Sequence, residues 1–172
     1  EIESPLYHLK NLSKQKRLNR NLSKKKKGSQ GRKRAKVQLA KLHIKTANQR
    51  RDYFHKLSNQ LANNYDNIFI EDLNMKAMQM MWGRKISDLA FSEFINILEY
   101  KAKVTKIDRF FPSSKTCSNC GTVKKDLDLK TRVFKCDTCY FEIDRDLNAS
   151  INIKRVGAST LAGEVVRATS VA

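Results

Sequence analysis

Apolar residues recur at helical spacing through the first third of the chain. Leucines three to six positions apart predict a helix over residues 6–27 with a thin apolar face. Residues 25–31 contain two glycines and a serine, which predicts a turn. Apolar residues then step mostly by three or four, which predicts a second helix over residues 32–62. The pattern as a whole predicts a long helical hairpin. Such a hairpin could serve only as a coiled-coil-like spacer, which is the interpretation without a binding function.

The middle of the chain changes to shorter patterns. The apolar run Ile68–Ile70 predicts a strand buried on both faces of a sheet. Residues 77–83 are rich in methionine and predict a loop. Ser87 is a candidate N-cap for a helix over residues 88–101, whose apolar side chains are expected to face the sheet. Residues 104–111 predict the next strand.

The last third of the chain predicts less regular structure. Residues 132–135 predict a short strand, and residues 147–155 predict a helix that Asp146 caps. The residues from 157 to 172 are mostly small and apolar, and their pattern predicts no defined element.

Positive charge is concentrated at the start of the chain. The formal net charge of the 172 residues is +18. Residues 1–56 hold eighteen Lys and Arg against three acidic residues, a net of +15. Such a block favours a polyphosphate partner, DNA or RNA, over a solvated helical face or a disordered basic tail. The candidate nucleic-acid-binding residues are Lys24, Lys25, Lys26, Lys27, Arg32, Lys33, Arg34, Arg50 and Arg51.

No apolar run reaches the roughly 20 residues that a membrane-spanning helix needs, and no secretory signal is visible. We therefore expect no membrane partner and a cytoplasmic, nucleoid-associated protein of a prokaryote. The chain begins at Glu1 rather than at methionine, which suggests a fragment, although trimming of a longer chain would look the same.

The four cysteines form two Cys-x2-Cys pairs with fifteen residues between them. This is the spacing of a zinc ribbon, in which two knuckles hold one tetrahedral Zn²⁺. Two disulfides are the alternative, and the Lys-rich chain without a secretory signal favours metal. The predicted ligands are Cys117, Cys120, Cys136 and Cys139.

Two acidic residues stand at the ends of predicted elements. Glu71 follows the strand directly, and Asp146 opens the last helix. Each residue taken alone has a plain interpretation, because acidic residues at strand ends and helix N-caps are common. Their combination with a cysteine module and a basic hairpin favours a functional role.

Three segments resemble OrfB/TnpB-type transposon proteins. Ile68–Lys76 resembles their second RuvC motif, and Asp144–Ile153 resembles their third. Asp108–Gly121 is similar to the entry to their zinc ribbon. The resemblance extends over essentially the whole chain and includes the basic hairpin.

The resemblance implies an α/β fold. We expect a partial RNase H-like (RuvC) fold with an inserted basic helical hairpin and an inserted zinc ribbon. In the family, three carboxylates hold two Mg²⁺ ions that cleave a phosphodiester. By motif position Glu71 is the second carboxylate and Asp146, rather than Asp144, is the third. The zinc is expected to be structural, since four thiolates leave no open position for water.

The chain departs from the family pattern at two places. No stretch of residues 1–67 resembles the first RuvC motif, which carries the first catalytic aspartate. Enzymatic activity is therefore uncertain, and Mg²⁺ binding is doubtful. Residues 101–104 also look shortened, which predicts a frayed helix end or a shortened strand.

These expectations combine into one hypothesis. The domains are a hairpin over residues 1–66, a partial RuvC domain over 67–113 and 142–156, a zinc ribbon over 114–141 and a tail over 157–172. The function is that of a transposon-associated DNA-binding protein, a remnant or fragment of an RNA-guided DNA endonuclease, with DNA and a guide RNA as partners. The alternative is a non-catalytic nucleic-acid-binding module or regulator of an intact copy. The oligomeric state is not predicted.

Overall fold

The computed structural model describes residues 5–83, 90–128 and 130–169. The chain divides into two compact units, one formed by Glu1–Asp66 with Asn74–Ala102 and the other by Asn67–Leu73 with Lys103–Ala172. Among the described residues, no helix has the length and apolar character needed to cross a membrane.

The first unit is built on the predicted hairpin. Helix α1 (Tyr7–Ser23) and helix α2 (Gln30–Asn64) pack against each other in antiparallel directions. Ser29 caps α2, because its hydroxyl accepts a hydrogen bond from the backbone N–H of Arg32. Within the pair, the Asn11 amide donates to the Thr46 hydroxyl at 3.2 Å. The hairpin prediction is confirmed.

Two further helices belong to this unit. Helix α3 (Met75–Trp82) lies where a loop was predicted, and the Asn74 side chain accepts a hydrogen bond from the N–H of Ala77 in its first turn. The loop prediction is wrong because methionine is a good helix former once a cap is present. Helix α4 (Phe91–Glu99) packs on α2, with the rings of Phe54 and Phe94 5.5 Å apart. Ser87, the predicted cap, lies outside the described residues.

The second unit contains two small sheets. Strands β1 (Asn67–Glu71) and β2 (Lys103–Ile107) pair in parallel, with Glu71 opposite Ile107. Strand β1 is half-buried rather than buried on both faces. Strands β3 (Val133–Lys135) and β4 (Glu142–Asp144) pair antiparallel, and β4 was not predicted. Strand β2 begins one residue earlier than predicted, at Lys103, and ends four residues earlier, at Ile107, so it is not shortened at residues 101–104, where the shortening was expected.

The last element is helix α5 (Arg145–Thr169), which contacts all four strands. It is much longer than predicted and includes most of the predicted tail. Asp144, not Asp146, caps it, because the Asp144 carboxylate accepts hydrogen bonds from the N–H groups of Asp146 (2.9 Å) and Leu147 (3.0 Å). A Cβ on Gly157 would overlap the ring of Phe69, so this glycine sets the approach of α5 to β1.

Candidate functional site

The four cysteines converge on one point. Their sulfur atoms all lie within 4.8 Å of one another, and all four thiols are free. The sulfurs of Cys117 and Cys139 are 3.7 Å apart, and those of Cys120 and Cys136 are 3.6 Å apart. A tetrahedral ion with metal–sulfur bonds of about 2.3 Å requires sulfurs separated by roughly 3.8 Å. The cluster therefore fits a single tetrahedral metal ion.

The cysteine cluster has its own small core. Cys117, Phe134 and Cys136 are buried together, and partly buried apolar side chains pack around them. Phe134 lies at the centre of β3 and points into this core, while its neighbours Val133 and Lys135 are exposed. Because successive side chains of a strand point to opposite faces, the Phe134 ring packs against the buried cysteines Cys117 and Cys136.

The environments of three of the sulfurs shift their acidity. Burial raises the pKa of Cys117 to about 11. Hydrogen bonding from the side chain and backbone of Thr122 lowers the pKa of Cys120 to about 6. The backbone N–H groups of Cys139 and Thr138 lower the pKa of Cys136. Peptide donors directed at sulfur favour the thiolate, which is the form that binds metal.

The two knuckles share one backbone pattern. In the first, the N–H of Cys117 donates to the carbonyl of Thr122, and in the second the N–H of Cys136 donates to the carbonyl of Phe141. Each bond is 2.9 Å long and joins residues five positions apart. The residue after the second cysteine of each knuckle has a positive φ, which is 80° at Gly121 and 58° at Tyr140. A side chain in this left-handed region costs roughly 1–2 kcal/mol, so tyrosine is a strained choice there.

Polar residues of α5 clamp the first knuckle to the helix. The Asn148 side chain donates to the Thr116 carbonyl (2.7 Å) and accepts from the Ser118 N–H (2.9 Å). The Asn152 amide also donates to the Thr116 carbonyl, and Arg155 donates to the Ser118 carbonyl. This clamp was not predicted from the sequence. Its signal was a polar stripe at positions 148, 152 and 155, the i, i+4, i+7 spacing of one helix face.

Glu71 lies at the carboxyl end of β1 and is half-buried. The Ser113 hydroxyl lies 3.3 Å from a Glu71 carboxylate oxygen and donates to it, and the Ser113 carbonyl accepts from Asn152. Hydrogen bonds through Ser113 and Asn152 thus connect Glu71 to α5. The neighbouring Asp72 is ion-paired with Arg109.

Asp146 lies in the first turn of α5 with 74% of its side chain exposed. Its carboxylate is 3.8 Å from the Arg132 guanidinium and 3.7 Å from that of Arg145, and ion pairs this exposed are weak. Because Asp144 satisfies the helix N-terminus, the Asp146 carboxylate is not occupied as a cap.

The carboxylate site for Mg²⁺ that the resemblance implies was expected to be incomplete in this chain. Among the described residues, the only group of three or more Cys, His, Asp or Glu side chains close enough to hold an ion is the cysteine cluster. Glu71 and Asp146 therefore do not make a complete carboxylate site for Mg²⁺ by themselves.

The predicted basic residues of the hairpin have different surroundings. Lys24 to Lys27 and residues 33 and 34 are exposed at the turn and the start of α2. Arg32 instead donates to the carbonyls of Leu22 and Lys25 and closes the turn. Arg50 and Arg51 are both ion-paired with Glu93 of α4.

A basic groove that was not predicted from the sequence runs between α1 and α2. Its floor is apolar, and its lining residues are Lys14, Arg17, Leu18, Gln38, Lys41, Leu42 and Lys45. Four of the seven lining residues are basic. No local motif marks them, because they come from two helices and meet only when the hairpin closes.

Two family models match the chain. Residues 1–81 match a family described as "Probable transposase" (OrfB of IS605), and residues 91–153 match the Cas12f1-like TNB domain.

Curated relatives cover most of this chain. A Streptomyces pristinaespiralis protein named "Putative RNA-guided DNA endonuclease" is 37% identical over 97% of this chain and 43% of its own length. InsQ of Escherichia coli K12, with the same description, is 31% identical over 92% of this chain and 45% of its own length. The TnpB-like protein L79 of Acanthamoeba polyphaga mimivirus is 33% identical over 69% of this chain and 25% of its own length. The chain thus spans less than half the length of these relatives.

A solved structure of another protein shares the fold. It is a cryo-EM structure of a Cas12f1–sgRNA–target DNA complex, with a TM-score of 0.54, 22% sequence identity, and coverage of 86% of this chain and 41% of that one. At this identity the likeness shows the fold alone.

Proposed function

The chain belongs to the TnpB type of transposon protein, and from that membership we propose that it binds nucleic acid as part of an RNA-guided DNA endonuclease. DNA and a guide RNA are its proposed partners. The basic hairpin supplies the phosphate contacts, the cysteine cluster holds zinc, and Glu71 and Asp146 are the carboxylates that this chain contributes to the catalytic centre.

The observation that carries this proposal is the polar network of the second unit. Asn148 and Asn152 join α5, which bears Asp146, to the first cysteine knuckle. Ser113 extends the network to Glu71. A buried polar side chain is costly unless its hydrogen bonds are satisfied, and here Asn148 and Asn152 bond to backbone groups of Ser113, Thr116 and Ser118. Metal bound at the cluster would therefore stabilise β1 and α5, the two elements that hold the carboxylates.

Zinc is the metal that the donor set favours. Four cysteine sulfurs in tetrahedral arrangement suit Zn²⁺ or an iron–sulfur centre, and the paired Cys-x2-Cys knuckles are typical of structural zinc. Bound zinc would supply folding free energy rather than chemistry, because no coordination position is left for water or substrate.

Elemental analysis of the purified chain tests the zinc assignment. We expect one zinc ion per chain, and we expect Cys136→Ser to lose it because three thiolates hold zinc far less tightly. Thr138→Ala is the matched control, since Thr138 is exposed between two ligands and contributes its backbone N–H, which alanine keeps. Protein without bound metal, or with iron in place of zinc, contradicts the assignment.

Salt dependence tests the role of the hairpin. Replacing Lys24 to Lys27 with glutamine removes four exposed charges. For each phosphate that is no longer neutralised, the slope of log affinity against log salt should fall by about 0.7 on single strands and about 0.9 on duplex DNA. Lys56→Gln is the control, because this ammonium is already ion-paired with Asp52 at 2.7 Å. An unchanged slope in the lysine variant would remove the hairpin turn from the interface.

A second candidate function is a non-catalytic nucleic-acid-binding module. The observation that favours it is that, among the described residues, Glu71 and Asp146 belong to no group of three or more side chains that could hold a metal ion. A cleavage assay with Mg²⁺, with and without co-expressed RNA, separates the two. Cleavage that is abolished by Glu71→Ala supports the endonuclease role for this chain. Salt-sensitive binding without cleavage supports the binding module.

A further inference from the structure

The two cysteine knuckles differ at the residue that follows each pair. Gly121 and Tyr140 occupy equivalent positions: each is the last residue inside the hydrogen-bonded loop of its knuckle, and each has φ in the left-handed region. Glycine adopts this conformation without steric penalty, whereas a tyrosine is strained. The first knuckle shows that the loop itself requires no side chain here.

Packing does not account for the tyrosine either. The side chain of Tyr140 is 83% exposed, although an aromatic ring normally contributes to stability by being buried. Its neighbour Phe141 packs against the core of the cysteine cluster. The fold therefore uses the second ring and leaves the first one in solvent. A strained residue that adds nothing to the core points to a role outside the fold.

We propose that Tyr140 is a stacking platform for an unpaired base of single-stranded nucleic acid. Exposed aromatic rings beside positive charge are how proteins hold single strands without reading their sequence. The chain as a whole carries a formal net charge of +18, so phosphates are attracted to it. This proposal rests on the proposed nucleic-acid function and names a contact within it. Since any base offers a flat face, DNA and RNA strands are both candidate ligands.

The experiment measures binding of the full, zinc-loaded chain to short labelled single strands by fluorescence anisotropy. Tyr140→Asn removes the ring while keeping a residue that tolerates a left-handed backbone. Tyr140→Phe is the matched control, because it keeps the ring. We expect Tyr140→Asn to weaken binding roughly 5- to 100-fold, as stacking losses usually do, and Tyr140→Phe to change it little. Parallel titrations with DNA and RNA strands of the same sequence identify the preferred ligand.

Two further readouts separate stacking from charge and from folding. Stacking involves no ion release, so the salt slope of Tyr140→Asn should equal that of the unmodified chain. On a strand of abasic sites, which keeps phosphates and lacks bases, the unmodified chain and Tyr140→Asn should bind equally. Tyr140→Gly should raise the thermal unfolding midpoint, because it relieves the strained backbone, and still bind weakly. A gain in stability together with a loss of binding is not expected of a structural residue.

The outcomes distinguish this inference from the function on which it rests. If the unmodified chain binds no nucleic acid, both fall. If it binds with the expected salt dependence and Tyr140→Asn binds equally well, only the stacking site is refuted, and a protein partner becomes the explanation for the exposed ring. If the loss on Tyr140→Asn persists on abasic strands, the ring does not stack on bases and the proposal is wrong.

Discussion

Replacing Asn148 should damage the cysteine module without touching a cysteine. Its side chain is fully buried and makes two bonds to the first knuckle, one to the Thr116 carbonyl and one from the Ser118 N–H. In Asn148→Ala the Thr116 carbonyl keeps its bond from Asn152. The buried Ser118 N–H loses the Asn148 oxygen as its acceptor, and an unsatisfied buried donor costs about 1–3 kcal/mol.

The total cost of Asn148→Ala follows from these two bonds. Adding about 1 kcal/mol for the lost bond to Thr116 gives a destabilisation of roughly 2–4 kcal/mol. For a chain of this size that lowers the unfolding midpoint by roughly 5–15 °C. Asn148→Asp keeps an acceptor for Ser118 but places a buried carboxylate against the Thr116 carbonyl oxygen, so at neutral pH it should cost at least as much as Asn148→Ala.

Urea unfolding followed by circular dichroism, with zinc in excess, measures these costs. The slope of free energy against urea should be unchanged, which shows that stability rather than compactness has altered. Ser150→Ala is the matched control on the same helix, because Ser150 is exposed and its hydroxyl bonds within its own turn. It should change stability by less than about 0.5 kcal/mol. If Asn148→Ala costs no more than this control, the clamp does not hold the knuckle and the reasoning is refuted.

Two further predictions concern α5 and the sulfurs. Gly157→Ala should destabilise the chain by about 2 kcal/mol or more in the same assay, because the added Cβ would overlap the Phe69 ring. Gly163→Ala is the control: its added Cβ meets open space, so the substitution should stabilise the helix by about 0.5–1 kcal/mol. In the metal-free chain at neutral pH, iodoacetamide should alkylate Cys120 well before Cys117, since a thiol with a pKa near 6 is largely thiolate and a buried one with a pKa near 11 is not. Equal labelling rates by mass spectrometry would contradict the assigned environments.

Local patterns predicted most of the elements correctly. The hairpin could be predicted because apolar spacing over a long window outweighs individual errors, and Ser29 provides an N-cap. The methionine segment was wrongly predicted to be a loop because the cap at which its helix begins, Asn74, was overlooked. The assignment of the last cap to Asp146 failed for a similar reason. Asp144 and Asp146 are both acidic, and only the backbone geometry shows which one accepts the N–H groups.

The candidate site was predicted in part. Cysteine spacing predicted the cluster of four sulfurs, because the two cysteines of each knuckle are close in sequence. Arg50 and Arg51 were predicted to face nucleic acid, and the structure pairs both with Glu93, which is distant from them in the chain. Ion pairs of that kind cannot be predicted from local composition.

The sequence by itself determined the family, the charge, the cysteine cluster and the order of the main elements, since each depends on residues near one another along the chain. Only the tertiary structure decided that Asn148 and Asn152 clamp a knuckle, that Ser113 bonds Glu71, and that Tyr140 is exposed and strained. Burial and hydrogen-bond partners depend on which distant segments meet. That is decided by the packing of the whole unit, which no short window of sequence contains.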